Sequence, residues 1–236
     1  MYRLSLILGL LLVNSFFVNA QNITGQQLLE KAIAYHDPNG NWDAFKGTLH
    51  VTMTTPDASK RDSKIQINLP EQFFAVEAKR GEDTTTYTIK KDKCTIAFNG
   101  NENLSEAVLK EKKLSCERAN LYKNYYTYLY GLPMKLKDNG TIIHDKVEKR
   151  TFKGKEYLVL KATYEEGVGK DTWYFYFNPK TYAMEVYQFF KATKDSGEYI
   201  LLSEEEIINE IKMPKVRAWY YNKDDKYLGT DTLSKK

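Results

Sequence analysis

The chain has 236 residues, 35 Lys and Arg against 31 Asp and Glu, a formal charge of +4 and two cysteines. Charges of both signs alternate along it, and the one basic cluster, Lys110, Lys112 and Lys113, is broken by Glu111, which excludes a nucleic-acid footprint. The absence of a CxxC spacing and the scatter of His36, His50 and His144 exclude a metal site definable by spacing, and no cofactor is expected.

Residues 1–20, MYRLSLILGLLLVNSFFVNA, carry one basic residue, Arg3, an apolar run from Leu4 to Val13, and the small Ala20 before a cut. This predicts a secretory signal peptide cleaved after Ala20, leaving 21–236 as a single β-rich exported domain. The run is too short and too interrupted to span a membrane, and no second apolar segment follows, so no transmembrane segment is expected after cleavage. Gln21 rather than a cysteine follows the cut, which argues against a lipid anchor there. The expected location is the periplasm or the exterior. In that oxidising setting Cys94 and Cys116 are expected to pair.

The first element of the mature chain is a helix. Thr24 and Gln27 have capping-box spacing, Leu28, Leu29, Ala32 and Ile33 form the apolar stripe, and Asp37-Pro38-Asn39-Gly40 ends it. Phe45, Leu49, Val51 and Met53 then alternate with polar residues as a half-buried strand, followed by a turn over 56–62. The pattern repeats at Ile65, Ile67 and Leu69, at Phe74, Val76 and Ala78, at Tyr87 and Ile89, and at Ile96 and Phe98. A weaker helical segment over 103–115 has Asn103 and Glu106 as its cap.

CERANLYKNYYTYLYGLP, Cys116 to Pro133, reads as a helix within a strand-rich chain. Tyr122, Tyr125, Tyr126 and Leu129 share a face at about 100° per residue, widened by Leu121, Tyr128 and Tyr130. The alternation of Tyr126, Tyr128 and Tyr130 would also suit a strand. Gly131 before Pro133 favours the helix, as a left-handed C-terminal residue followed by a breaker. Further strands are expected at 141–147, 157–164, 172–177, 183–190, 198–202, 207–211 and 216–221. The predicted fold is mainly β: a large curved antiparallel sheet of about eleven strands, with two or three helices against its concave side. Short, charged strands disfavour an outer-membrane barrel.

The chemistry-bearing residues point weakly to catalysis. His36 and Asp37 sit at a helix end, where capping explains them. Glu204, Glu205 and Glu206 are strand neighbours that face opposite sides and cannot share one reacting atom. Asp224, Asp225 and Asp231 around Gly229 read as a hairpin turn, not a calcium loop. The helix tyrosines have two readings, ordinary core aromatics or the wall of a cavity between sheet and helix. In the second, Tyr122, Tyr125, Tyr126 and Leu129 face Phe45, Leu49 and Val51 across an apolar ligand, with phenol hydroxyls meeting its polar end.

YHDPNGNWDAFKGTL (Tyr35 to Leu49), NYYTYLYGLPMKLKDNGT (Asn124 to Thr141), GEYI (Gly197 to Ile200) and WYYNKDDKYLGTDTL (Trp219 to Leu233) resemble an uncharacterised family of exported bacterial proteins. That family is similar in architecture to lipoprotein carriers of LolA and LolB type, in which a half-open barrel holds acyl chains under helices. The resemblance implies a binding or carrier protein for a lipid, lipoprotein or other apolar ligand, without catalysis. Such carriers anchor their lid through an arginine. Arg61 and Arg80 both fall in expected turns and are not matched to it. The alternatives are a cell-envelope interaction module whose concavity its own helix fills, and a hydrolase assembled from distant strands.

Overall fold

A computed structural model describes residues 23–193 and 195–235, so the segment expected to be a signal peptide lies outside the described residues. The first half of the chain holds helix α1 (Gly25–His36) and strands β1 (Lys46–Thr55), β2 (Ala58–Asn68), β3 (Phe73–Arg80), β4 (Asp83–Lys90) and β5 (Lys93–Phe98). Helices α2 (Glu106–Glu111) and α3 (Cys116–Gly131) lead into β6 (Thr141–Ile143), β7 (Glu148–Phe152), β8 (Lys155–Tyr164) and β9 (Thr172–Phe177). The remaining strands are β10 (Met184–Phe190), β11 (Glu198–Ile208), β12 (Ile211–Tyr221) and β13 (Tyr227–Ser234).

All 13 strands among the described residues belong to one antiparallel sheet, ordered β5-β4-β3-β2-β1-β13-β12-β11-β10-β9-β8-β6, with β7 also on β8. It is the expected curved, open, mainly β architecture with slightly more strands. Two edges remain, so the sheet does not close into a barrel. Its meander pattern follows from short turns, which permit only antiparallel neighbours.

The local signals hold where burial is one-sided. Thr24 Oγ1 accepts from the Gln27 amide at 3.2 Å and Gln27 Oε1 accepts from the Thr24 amide at 3.0 Å, completing the capping box of α1. Leu28, Leu29 and Ala32 are buried beneath it. Leu49 and Val51 of β1, Ile65 and Ile67 of β2, and Phe74 and Val76 of β3 enter one core.

Several expectations need correction. The turn over 56–62 is only the tip of a long hairpin: Thr55 pairs with Ala58, and β2 runs on from there. Arg61 therefore lies on β2, and Arg80 on β3. The charged outer end of that hairpin has no apolar alternation, which is why it read as a turn. Residues 198–202 and 207–211 are not two separate strands. The first lies within β11, which continues to Ile208, and Ile211 opens β12. Ser105, not Asn103, caps α2 by accepting from the Val108 amide, because the helix begins only at Glu106 and Ser105 is the residue before its first turn.

Strands β7 and β13 were not expected. β13 joins the two halves of the sheet by pairing with both β1 and β12. Gly229 and Asp231 stand within it, and only Asp224 and Asp225 remain in the turn before it. A Cβ on Gly229 would lie 2.6 Å from the Thr54 carbonyl oxygen, so the glycine serves a close backbone approach. β7 covers part of the outer face, where Phe152, Tyr157, Val159, Tyr176 and Val186 form a second small apolar cluster. The outer face is thus not simply wet.

Candidate functional site

α3 is tied to the sheet at both ends. At its start, Cys116 forms the expected disulfide with Cys94 on the edge strand β5, with a Cα separation of 5.9 Å. Its N-cap Ser115 accepts from the Arg118 amide. At its end, Gly131 is the last helical residue and lacks the left-handed conformation expected of it. It is glycine because a Cβ there would lie 2.2 Å from the Trp42 ring. The helix is therefore pressed against the segment joining α1 to β1.

Between these anchors the tyrosines divide into two groups. Tyr126 and Tyr130 are buried and Tyr122 half-buried, packed over Phe74 and Tyr87. Tyr126 is 0 % exposed, and Phe45, Leu49 and Val51 are likewise closed in the core. None of these four lines a space beside α3, whose aromatic face fills the concavity over β1 to β5; Phe45 borders only a separate surface hollow of about 300 Å³ with Asn41, Ala44, Asn209 and Glu210. Leu121, counted on the apolar face, is 63 % exposed and belongs to the opposite side.

Tyr125 and Leu129 do face space. With Tyr128 they form one wall of a cleft of about 600 Å³, whose other wall is Trp173 of β9, Phe189 of β10 and Trp219 of β12. This is within the range of about 300–1,000 Å³ typical of small-molecule sites. Trp173 packs against Phe189 at 4.8 Å between ring centroids and against Tyr128 at 5.6 Å. Asp138 and Lys170 from loops, with Thr141 and Tyr164 from the ends of β6 and β8, add polar groups to its lining. The hydroxyls of Tyr128 and Tyr164 are hydrogen-bonded to each other, and burial raises the Tyr128 phenol well above its usual range. A smaller cavity of about 200 Å³, lined by Met53, Glu198, Leu228 and Asp231, shares Tyr125 and Trp219 with the first. Those two rings, stacked at 6.0 Å, stand between the two spaces.

Under α3 lies a buried polar network that the sequence does not announce. Arg217 is 0 % exposed, donates to the Pro214 carbonyl at 2.7 Å and the Leu129 carbonyl at 3.4 Å, and sits 3.9 Å from the Tyr130 ring centroid. Asp231, also buried, accepts from the Tyr125 hydroxyl at 2.7 Å; burial raises both its carboxyl and that phenol. Arg61 reaches inward from β2 and donates to the hydroxyls of Tyr126 at 3.2 Å and Tyr122 at 3.4 Å. An arginine does therefore contact the helix, and it does so from a strand. Charged side chains on alternating strand positions read as solvent-facing, so only their neighbours across the sheet reveal the burial.

The remaining polar candidates serve structure. His36 is buried, with Nδ1 donating to the Lys212 carbonyl at 2.7 Å and Nε2 accepting from the Met184 amide at 2.9 Å. Both nitrogens are thereby occupied, and burial lowers its pKa. Asp37 caps the helix end and accepts from the amides of Asn41 and Trp42. Glu204 and Glu206 pair with Lys215 and Lys235, and Glu205 accepts from Tyr35. Among the described residues no group of three His, Cys, Asp or Glu is placed to hold a metal.

The matching family model spans residues 3–236. The chain belongs to the family of unknown function DUF6503. No curated protein matches the sequence. A LolA superfamily protein from Nitrosomonas europaea is similar in structure at 12 % identity and a TM-score of 0.53, covering 90 % of this chain and 92 % of that one. A domain described as an outer membrane lipoprotein-sorting protein, from Vibrio parahaemolyticus, is similar at 9 % identity and a TM-score of 0.50, covering 89 % and 92 %. At these identities the likeness establishes a LolA-like fold, in agreement with the open sheet and its inner helices.

Proposed function

We propose that the protein is an exported, single-domain binding or carrier protein for a lipid, the acyl chains of a lipoprotein or another apolar ligand, and that it acts without catalysis. The observation that carries this reading is the cleft of about 600 Å³ between α3 and strands β9, β10 and β12, walled by Leu129, Trp173, Phe189 and Trp219. Aromatic walls cover apolar surface, and the phenols and loop residues at the mouth meet a polar end. The leader-like segment before Gln21 and the Cys94–Cys116 bridge support export to the periplasm or beyond. Similarity to a lipoprotein-sorting domain agrees with this reading.

The part of the concavity already filled by Tyr122, Tyr126 and Tyr130 favours a second reading, an envelope interaction module that offers no internal site. Native mass spectrometry on protein purified from its own host separates the two. The carrier reading expects a chain beginning at Gln21 with co-purified lipid. A lipid-free chain bound to a partner protein overturns it in favour of the module.

A further inference from the structure

The mouth of the cleft carries charges that an apolar guest alone does not require. Lys135 is paired with Asp138. Lys170 and Asp171, consecutive residues in the β8–β9 connection, both line the cleft and have no ion-pair partner among the described residues. Tyr128, Tyr164 and Trp173 line the same cleft, the two phenols bonded to each other and Trp173 stacked on Phe189. Asp138 and Asp171 line the cleft together with these rings, and burial foremost, with a smaller push from the two carboxylates, raises the Tyr164 phenol to about 12.

An amphiphile ending in a lone anion would meet Asp171, and one ending in a lone cation would meet Lys170. Only a headgroup carrying both charges a few atoms apart pairs with both residues and leaves neither repelled. Resting on the reading that this cleft holds an amphiphile, we propose that it selects a zwitterionic phosphoammonium headgroup. The ammonium pairs with Asp171 at the aromatic wall of the cleft, and the phosphate pairs with Lys170.

Tryptophan emission reports occupancy, because Trp173 and Trp219 line the cleft while Trp42 is buried in the core. Mature protein is titrated with lysophosphatidylethanolamine, lysophosphatidylglycerol and an alkyltrimethylammonium salt of equal chain length, each below its micellar concentration. The zwitterion is expected to bind about tenfold more tightly than either singly charged amphiphile. Asp171→Asn should shift the preference towards the anionic lipid, and Lys170→Gln towards the cation, with unchanged circular dichroism. Equal binding of all three, or tighter binding of a singly charged probe, overturns the headgroup assignment and leaves the carrier reading standing. A zwitterion preference untouched by both variants overturns the assignment to Lys170 and Asp171. Absence of binding by all three overturns both readings.

Discussion

Truncating Trp173 and Tyr126 to alanine in parallel separates wall from filling. Tyr126 is 0 % exposed and has ring contacts with Phe74, Tyr122, Tyr125 and Tyr130 at centroid distances of 5.1 to 6.4 Å. Its loss leaves a void among rings that cannot collapse and removes an acceptor from Arg61, so Tyr126→Ala should cost about 4–5 kcal/mol, the upper part of the range for buried aromatics. Trp173 is partly exposed, with the cleft on one side, and Trp173→Ala should cost about 2 kcal/mol because less packing is lost. For a fluorescent fatty acid the order reverses. Removing about 60 Å² of ligand-covering wall at about 25 cal/mol per Å² loses about 1.5 kcal/mol, a little over tenfold in affinity. Urea unfolding beside a ligand titration reads both effects. Unchanged affinity in Trp173→Ala, or Tyr126→Ala that abolishes binding at a stability cost below about 2 kcal/mol, would show that the guest lies beneath the helix and refute the reasoning.

Reducing Cys94–Cys116 opens a loop with a sequence separation of 22 and should cost about 3 kcal/mol, lowering the thermal midpoint; an unshifted melt under reductant contradicts this. Gly131→Ala should destabilise by about 2 kcal/mol or more through collision with Trp42, and a neutral result in urea would mean that the ring moves freely. Burial keeps folded His36 neutral while the unfolded chain takes up its proton near pH 6.5, so its contribution to stability is present above that pH and lost as pH falls. Asp231, raised by burial, acts in the opposite sense in more acidic solution, so the test is the difference between wild type and His36→Gln between pH 8 and 5. Parallel curves would sink it.

The sequence by itself determined the elements whose evidence is local. The capping box of Thr24 and Gln27, the alternation through Leu49, Val51, Ile65 and Ile67, and the tyrosine helix all report burial on one side within a few residues. The pairing of the only two cysteines needed no geometry. Tertiary structure alone decided what β13 is, because Gly229 and Asp231 have little β propensity and interrupt its pattern, and the strand is held by ladders to β1 and β12. It also decided that Arg61, Arg217 and Asp231 face inward, since a charged residue is buried only when its partners come from other strands. The position of the cleft was hidden for the same reason. One helix face supplies both the core-filling Tyr126 and the cleft-facing Tyr125, and which ring meets open space depends on how α3 lies across the sheet, a relation between segments far apart in the chain.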